Sequence, residues 1–494
     1  MTSPEHRGKE IKALAVVFST AFILRLMPEL WEPSFPVGYD IPFYAIGASH
    51  FVEEGPLRML VSPFLMSSIL WAFYIMGLNL YIVLKIFAPV LYGFMMASFY
   101  TFLRRALDWG VERSTFCATI CALQPMALRI SWDLLKMELG LAVLFFFLAN
   151  FRKWERENKW ALISFSELLT VFSHQLPAIL MFMFLAYELN KRRAPRAKIL
   201  ISALPAALVF SLYLLSFTGV ITPPSPPQHR SILWLKTPYN RALFPRNYFL
   251  EKPFRSGNWA DVALYVPLTF LTCFALLLVF APLGLRSHGF LDIMSIWLVI
   301  ASFSVIACPW AYPFVHFFRW MLMMVFPLAI YATDGAFNLA KHVGRREVLE
   351  TFLILNTMIG IGYANGFPYA HVIPPVMEPY MPDRMTYSTI ELSALDDCKA
   401  CICWLNSHAE NNSVLVVEHR FLAWAILWLD ERISIAAYEV DVPLDDVELW
   451  SVISAYEHIY VIWYSYQIPN WRNLKSLKLF NSDDIAIYEL VMEG

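Results

Sequence analysis

Charge is scarce in this chain. Asp, Glu, Lys and Arg together make up 16% of its 494 residues, against 58% hydrophobic residues. A soluble globular protein carries about 25% charged residues, so composition excludes a water-soluble domain for most of the length. Net charge is also small, −2 from 38 basic and 40 acidic side chains. Bulk charge therefore gives no sign of a nucleic-acid partner, and none is expected. No glycine-rich phosphate fingerprint accompanies any strand-to-helix step, so nothing calls for a nucleotide. No internal repeat of the kind common in transporters is visible. Cysteines number seven. Cys117, Cys121, Cys273 and Cys308 lie in or beside apolar stretches and read as small core residues. Cys398, Cys401 and Cys403 cluster near the C-terminus without a second pair, which leaves zinc unsupported. Packed, unreactive thiols are the simpler reading there, with a Cys398–Cys401 disulfide open if that segment is extracellular. A cleavable leader is absent too. The charged residues 1–12 precede an apolar run to Leu26 with no small-x-small site before Trp31. The run reads as a retained first span.

What the chain has is long apolar segments. A helical span needs about 20 such residues. The candidates are 10–28, 80–103, 114–130, 136–151, 160–173, 176–189, 198–217, 262–283, 290–307, 316–335 and 347–365, about eleven crossings. Basic residues mark cytoplasmic loops. The clusters at Arg7/Lys9/Lys12, Arg104/Arg105/Arg113, Arg152/Lys153/Arg156/Lys159, Lys191–Lys198, Arg286 and Lys341/Arg345/Arg346 all fall on one side of this arrangement. The N-terminus is then cytoplasmic and the C-terminus extracellular. Residues 57–76 are apolar enough to cross, but a crossing would turn the later basic clusters outward. They read instead as interfacial helices of a first external loop, 29–79.

From about 366 the pattern changes. Val414–Glu418, Ile433–Tyr438 and Ile459–Tyr464 read as strands, with helical stretches at 391–406, 420–430 and 443–455 and a closing hairpin at 476–480 and 484–491. The alternation predicts an α/β domain. The chain thus divides into a membrane domain, 1–365, and an extracytoplasmic α/β domain, 366–494. Asn411-Asn412-Ser413 is a glycosylation sequon, relevant only on an external face.

Ionisable groups near a membrane are costly and each needs a reason. Asp40 sits in FPVGYDIPFYA, held by Gly38, Pro36 and Pro42 in an irregular loop. It suits a general base that takes a proton from an acceptor hydroxyl, or else a helix-capping aspartate. Asp133, Lys136 and Glu138 lie in RISWDLLKMELG. Asp133 is also a good cap for the helix that follows. Mg²⁺ or Mn²⁺ held by Asp133, Glu138 and a substrate phosphate is one reading; Lys136 neutralising the phosphate with no metal is the other. His174 with Gln175 interrupts a long apolar stretch and can bond phosphate or a sugar hydroxyl. Arg319, among aromatic residues near an outer helix end, suits a bidentate phosphate contact. Arg25 reads as a partner of Asp40 or Glu29. The loop 218–261 holds Arg230, Lys236, Arg241, Arg246, Lys252 and Arg255 against Glu251 and Asp261, a basic surface for an anionic ligand or for lipid headgroups.

These segments resemble the GT-C membrane glycosyltransferases, in style the archaeal members similar to protein mannosyltransferases and the lipid A aminoarabinose transferase. The residues carrying the likeness are GYD at Asp40, SWDLLKMELG at Asp133 and Glu138, SHQLPA at His174 and FFRW at Arg319. The resemblance implies a GT-C-like helical membrane domain. It also implies transfer of a sugar, with inversion, from a polyprenyl or dolichyl phosphate donor to a lipid, glycan or protein acceptor on the external face. Asp40 then acts as base; Lys136, Arg319, Arg230, Lys236, Arg241 and Arg246 hold the donor. The WWDYG motif of oligosaccharyltransferases is missing, which argues against bulk oligosaccharide transfer to asparagine. A close Asp-x-Asp pair is missing as well, so a metal-independent reaction stands beside a metal-dependent one. The competing class is a polytopic transporter or flippase for a lipid-linked or anionic substrate.

Overall fold

The computed structural model describes residues 4–31, 34–52, 60–191, 195–217, 220, 232–234, 259–286, 288–307, 317–366, 385, 388–438, 454–466 and 474–492. The chain begins with the long helix α1 (Pro4–Trp31) and a short α2 (Ile41–Ser49) after the first loop. The 11-residue α3 (Leu65–Ile75) and the 26-residue α4 (Leu80–Arg105) follow. α3 is too short to cross a hydrocarbon core of about 30 Å at 1.5 Å per residue, so the segment expected at the interface does not span.

Next come α5 (Val111–Ala122), α6 (Pro125–Asp133), α7 (Leu135–Arg156), α8 (Trp160–Ser173), α9 (Gln175–Lys191) and α10 (Arg196–Phe217). The remaining membrane-domain helices are α11 (Trp259–Phe280), α12 (Phe290–Ala307), α13 (Phe317–Met323), α14 (Val325–Val343) and α15 (Glu347–Ala364).

Eleven crossings are not what these helices supply. Among the described residues seven are long and apolar enough to span, or up to eight if the bent pair α6–α7 is counted as one. The expected span at 114–130 is split, because Pro125 cannot continue α5 and instead opens α6. The span expected at 160–173 has 14 residues, about 21 Å of helix, and α9 has 17. The spanning helices fall into two kinds. Arg196–Ser216 has only 22% of its most apolar window buried and exposes Ile201, Leu204 and Leu208, an i, i+3, i+7 apolar stripe suited to lipid. Phe317–Val343 is 94% buried and forms the centre of the bundle.

The C-terminal part is the mixed α/β unit that the alternation predicts. Helices α16 (Leu395–His408) and α17 (His419–Trp428) accompany a six-stranded sheet. Its strands are β1 (Ile232–Trp234), β2 (Ser413–Glu418), β3 (Ser434–Tyr438), β4 (His458–Tyr464), β5 (Leu474–Ser482) and β6 (Ile485–Met492), in the order β1-β3-β2-β4-β6-β5. The first four are parallel, and the closing hairpin is antiparallel. β2 is buried throughout, as expected of a parallel strand covered on both faces. Leu415, Val417, Ile435 and Ala437 face the apolar cluster shared with the membrane helices, and Val414, Val416 and Ala436 face the other side. One strand comes from elsewhere: Ile232–Trp234 of the long basic loop pairs with β3 as the sheet edge. Cys398 and Cys401 are separate, buried thiols on α16. The helix expected at 443–455 lies almost wholly outside the described residues.

Candidate active site

The site grows from the first loop. Arg25, fully buried in α1, donates to Glu29 Oε1 at 2.7 Å, to the Val37 carbonyl at 3.1 Å and to the Ser131 carbonyl at 3.1 Å. Glu29 Oε2 in turn accepts from the Val37 N–H at 3.0 Å. Lys85 Nζ caps the Glu29 and Phe35 carbonyls, both at 2.8 Å. Arg25 therefore pairs with Glu29, and its job is to hold the loop backbone. The next residue must be glycine. Gly38 has φ +136°, and a Cβ there would fall 1.8 Å from the Trp132 carbonyl oxygen.

This clamp delivers Asp40 to the start of α2. Asp40 occupies the cap position but makes no side-chain cap bond, so the capping role does not account for it. It lines a cavity of about 570 Å³ together with Tyr44, Ser62, Ser67, Lys136, His174, Gln175 and Arg319. Four residues from four distant segments, Asp40, Lys136, His174 and Arg319, thus meet in one place. Burial is the main force raising the Asp40 carboxyl, to about 7, and the nearby Asp133 carboxylate adds to it. Arg319, Arg129 and Lys136 oppose the rise. Three cations thus face two carboxylates, a surplus suited to an anionic ligand.

The helix break explains how Lys136 arrives. α6 and α7 meet at Leu134 with a 118° bend. The bend ends α6 on Asp133 and starts α7 with Lys136 at the cavity wall. Tyr44 Oη ties the corner down by donating to the Asp133 carbonyl at 3.0 Å. Asp133 does not line the cavity directly; its carboxylate accepts from Arg129, one helical turn earlier, which stacks 4.7 Å over the Trp132 ring. Arg129 is the residue that sequence reading passed over, although its i, i+4 spacing to Asp133 was the available signal. His174 ends α8 in extended conformation, and its Nδ1 accepts from the Leu176 N–H at 3.1 Å. In the neutral ring the proton is then on Nε2, a donor for a ligand oxygen.

Glu138 does not join them. It is fully buried in α7, and neither carboxylate oxygen has a hydrogen-bond partner among the described residues. The charge that acts on it is Arg25. Asp133 is committed to Arg129 and Glu138 does not line the cavity, so this pair does not fit a shared divalent cation. Among the described residues no group of three or more His, Cys, Asp or Glu is placed to hold a metal. Arg230, Lys236, Arg241 and Arg246 lie outside the described residues.

No family model matches the sequence, and no curated protein matches it. Among solved structures the chain is similar to the cryo-EM structure of arabinofuranosyltransferase AftD from Mycobacteria. It is 12% identical over 97% of this chain, with a TM-score of 0.51. A mutant of the same protein gives 11% identity over 96% and a TM-score of 0.52. The chain spans 40% and 41% of the lengths of those two structures. The likeness is one of overall fold.

Proposed function

We propose that this protein is a glycosyltransferase that moves a sugar from a polyprenyl (dolichyl) phosphate donor to a lipid, glycan or protein acceptor. The convergence of Asp40, Lys136, His174 and Arg319 on one cationic cavity is the observation that carries the reading. Fold likeness to an arabinofuranosyltransferase supports it. The setting is a cell membrane, with the N-terminus cytoplasmic, the cavity and the sheet domain outside, and the domains divided near residue 365 with Ile232–Trp234 added to the second.

The chemistry follows from the charges. The acceptor hydroxyl attacks the anomeric carbon while its proton passes to Asp40. The bond from that carbon to the phosphate oxygen breaks, and its electron pair stays on the phosphate. Attack opposite the leaving group inverts the centre. Arg319 and Lys136 stabilise the charge that grows on the phosphate. His174 takes the role of hydrogen-bond donor to a phosphate or sugar oxygen. A carboxyl raised toward neutrality is a better base at physiological pH than an ordinary aspartate.

Turnover of a panel of polyprenyl-phosphate sugars by the purified protein in lipid, with crude host membrane glycans as acceptor, tests this. Release of polyprenyl phosphate by wild type, abolished in Asp40→Asn, is the expected result. Absence of both turnover and donor binding would overturn the reading and favour a transporter or flippase.

A further inference from the structure

The carboxylate given the role of base makes no cap bond at the start of α2. Its direction is therefore set by the backbone of residues 37–40 and by what holds Tyr39 beside it. On the membrane-domain side the loop is tied at Val37 by Arg25 and Glu29. On the opposite side two ties come from the C-terminal domain. Ser388 Oγ donates to the Gly38 carbonyl at 3.2 Å. Tyr39 Oη and His419 Nδ1 are 3.0 Å apart in a hydrogen bond. The His419 ring lies nearly parallel to the Tyr39 ring, 6.2 Å away at 15°, and 5.8 Å from the Phe43 ring. One imidazole thus grips the residues on both sides of Asp40.

The topology explains why a histidine so far along the chain reaches this loop. β2 is the central strand at which the parallel order reverses, with β3 on one side and β4 on the other. The carboxyl end of a strand at such a reversal is where open α/β sheets present functional groups. Glu418 ends β2, and His419 is the first residue of α17. Two bonds fix this end: Arg420 Nε and Nη2 donate to the two Glu418 carboxylate oxygens, both at 2.6 Å.

We propose that His419 is a positioning residue for transfer: through Tyr39 it fixes the orientation of Asp40, which makes the C-terminal domain a working part of the transfer site. The inference rests on the functional reading above. It assigns the sheet domain a role in the chemical step that its likeness to other folds does not supply.

The experiment compares His419→Ala, His419→Asn, Tyr39→Phe and the Tyr39→Phe/His419→Ala pair, with Asp40→Asn and Tyr81→Phe alongside. Tyr81→Phe removes a different domain-docking bond, that from Trp428 Nε1 at 3.2 Å, without touching Tyr39. Kcat, donor Kd and thermal midpoint are measured for each in lipid. His419→Ala and Tyr39→Phe are expected to lower kcat about 10-fold or more, since misplacement near 1 Å of a reacting group can cost about 100-fold. Donor Kd stays near wild type, because Arg319 and Lys136 are untouched. The double variant loses no more than the worse single, and Asn, which places an amide where Nδ1 was, recovers part of the rate. Tyr81→Phe retains kcat.

Three results would overturn the inference. One is kcat within twofold of wild type in both single variants. Another is an equal kcat loss in Tyr81→Phe, which would mean general docking. The third is a kcat loss that only follows a falling thermal midpoint. If Asp40→Asn keeps full turnover, the functional reading itself has failed. If only Asp40→Asn is inactive, that reading stands and the role of His419 falls.

Discussion

Replacing Asp133 by Asn should move the pH dependence of transfer without touching the proposed base. The free enzyme needs Asp40 ionised, so kcat/KM for the donor should rise with pH and level off above the Asp40 pKa. An ordinary aspartate titrates near 3.9 and would give a flat profile from pH 5 upward. Burial and the Asp133 charge hold Asp40 near 7, so the limb should lie between pH 6 and 8. At pH 6 about one-tenth of a group with pKa 7 is ionised, and the rate should be about 10-fold below its plateau. Burial is the larger cause and survives the substitution; the Asp133 charge does not. A nearby like charge is worth about one unit at the low end of the usual range. The limb in Asp133→Asn should therefore fall by about one unit, which lifts relative activity at pH 6 to about half of that variant's own plateau. The plateau height is free to change, since Arg129 loses its partner. Position on the pH axis is the diagnostic. Initial rates of polyprenyl-phosphate release from pH 5 to 9, at constant ionic strength in lipid, measure it. A flat wild-type profile down to pH 5, or a limb that does not shift in Asp133→Asn, refutes the placement of the two carboxylates.

The same raised carboxyl has a stability consequence. Its folded pKa lies above the unfolded value, so the native state keeps a proton that the unfolded chain releases between about pH 4 and 7. Stability falls across that window as pH rises, and the cost is fully present above 7. Asp40→Asn removes it. The variant should be more stable than wild type at pH 8 by about 2 kcal/mol after allowance for the open cavity, and indistinguishable near pH 4. Thermal scans at both pH values decide this, and a lower midpoint at pH 8 would contradict it. Arg319→Ala should weaken donor binding by at least about 10-fold, the loss of one charge-assisted contact to phosphate, with a smaller salt dependence of Kd. Unchanged affinity in calorimetry would remove Arg319 from the donor site. Glu138→Gln should keep kcat within about threefold, and EDTA should leave wild type unaffected, because Glu138 does not line the cavity and Asp133 is bound to Arg129. A rate lost in Glu138→Gln and restored by added Mg²⁺ or Mn²⁺ would reinstate the metal.

Much of the membrane architecture was legible in sequence because lipid imposes one rule, a long apolar helix, that composition states directly. The rule failed where an apolar helix is short. α8 has 14 residues and α9 has 17, and apolar composition alone does not fix how far a helix extends. The strands of the sheet domain were legible from their β-branched runs. β1 was not, since three residues inside a basic loop carry no periodicity and their partner, β3, lies some 200 residues away. In the site, Asp40, Lys136, His174 and Arg319 announced themselves as polar groups in apolar surroundings, a signal that needs no neighbours. Arg129 carried the same signal, a charge inside an apolar stretch, and was passed over; His419 gave none, because it matters only through a residue it touches.

The 118° break at Leu134 shows why that second class matters. A straight helix through 125–156 would carry Lys136 about 4 Å past Asp133 along the same axis. The bend instead turns α7 away while Tyr44 Oη holds the Asp133 carbonyl, and Gly38 packs against the carbonyl of Trp132. The Gly38 backbone and the Tyr44 side chain, on either side of Asp40, therefore meet the carbonyls of two successive residues at the corner that bears Lys136. Base and phosphate-binding cation are fixed relative to each other by contacts to main chain, independent of any pairing of their own side chains. A Cβ at position 38 would separate them, so Gly38→Ala should cost turnover more than any single cavity side chain except Asp40. If that variant folds and keeps its rate, the two elements are not held in the register described.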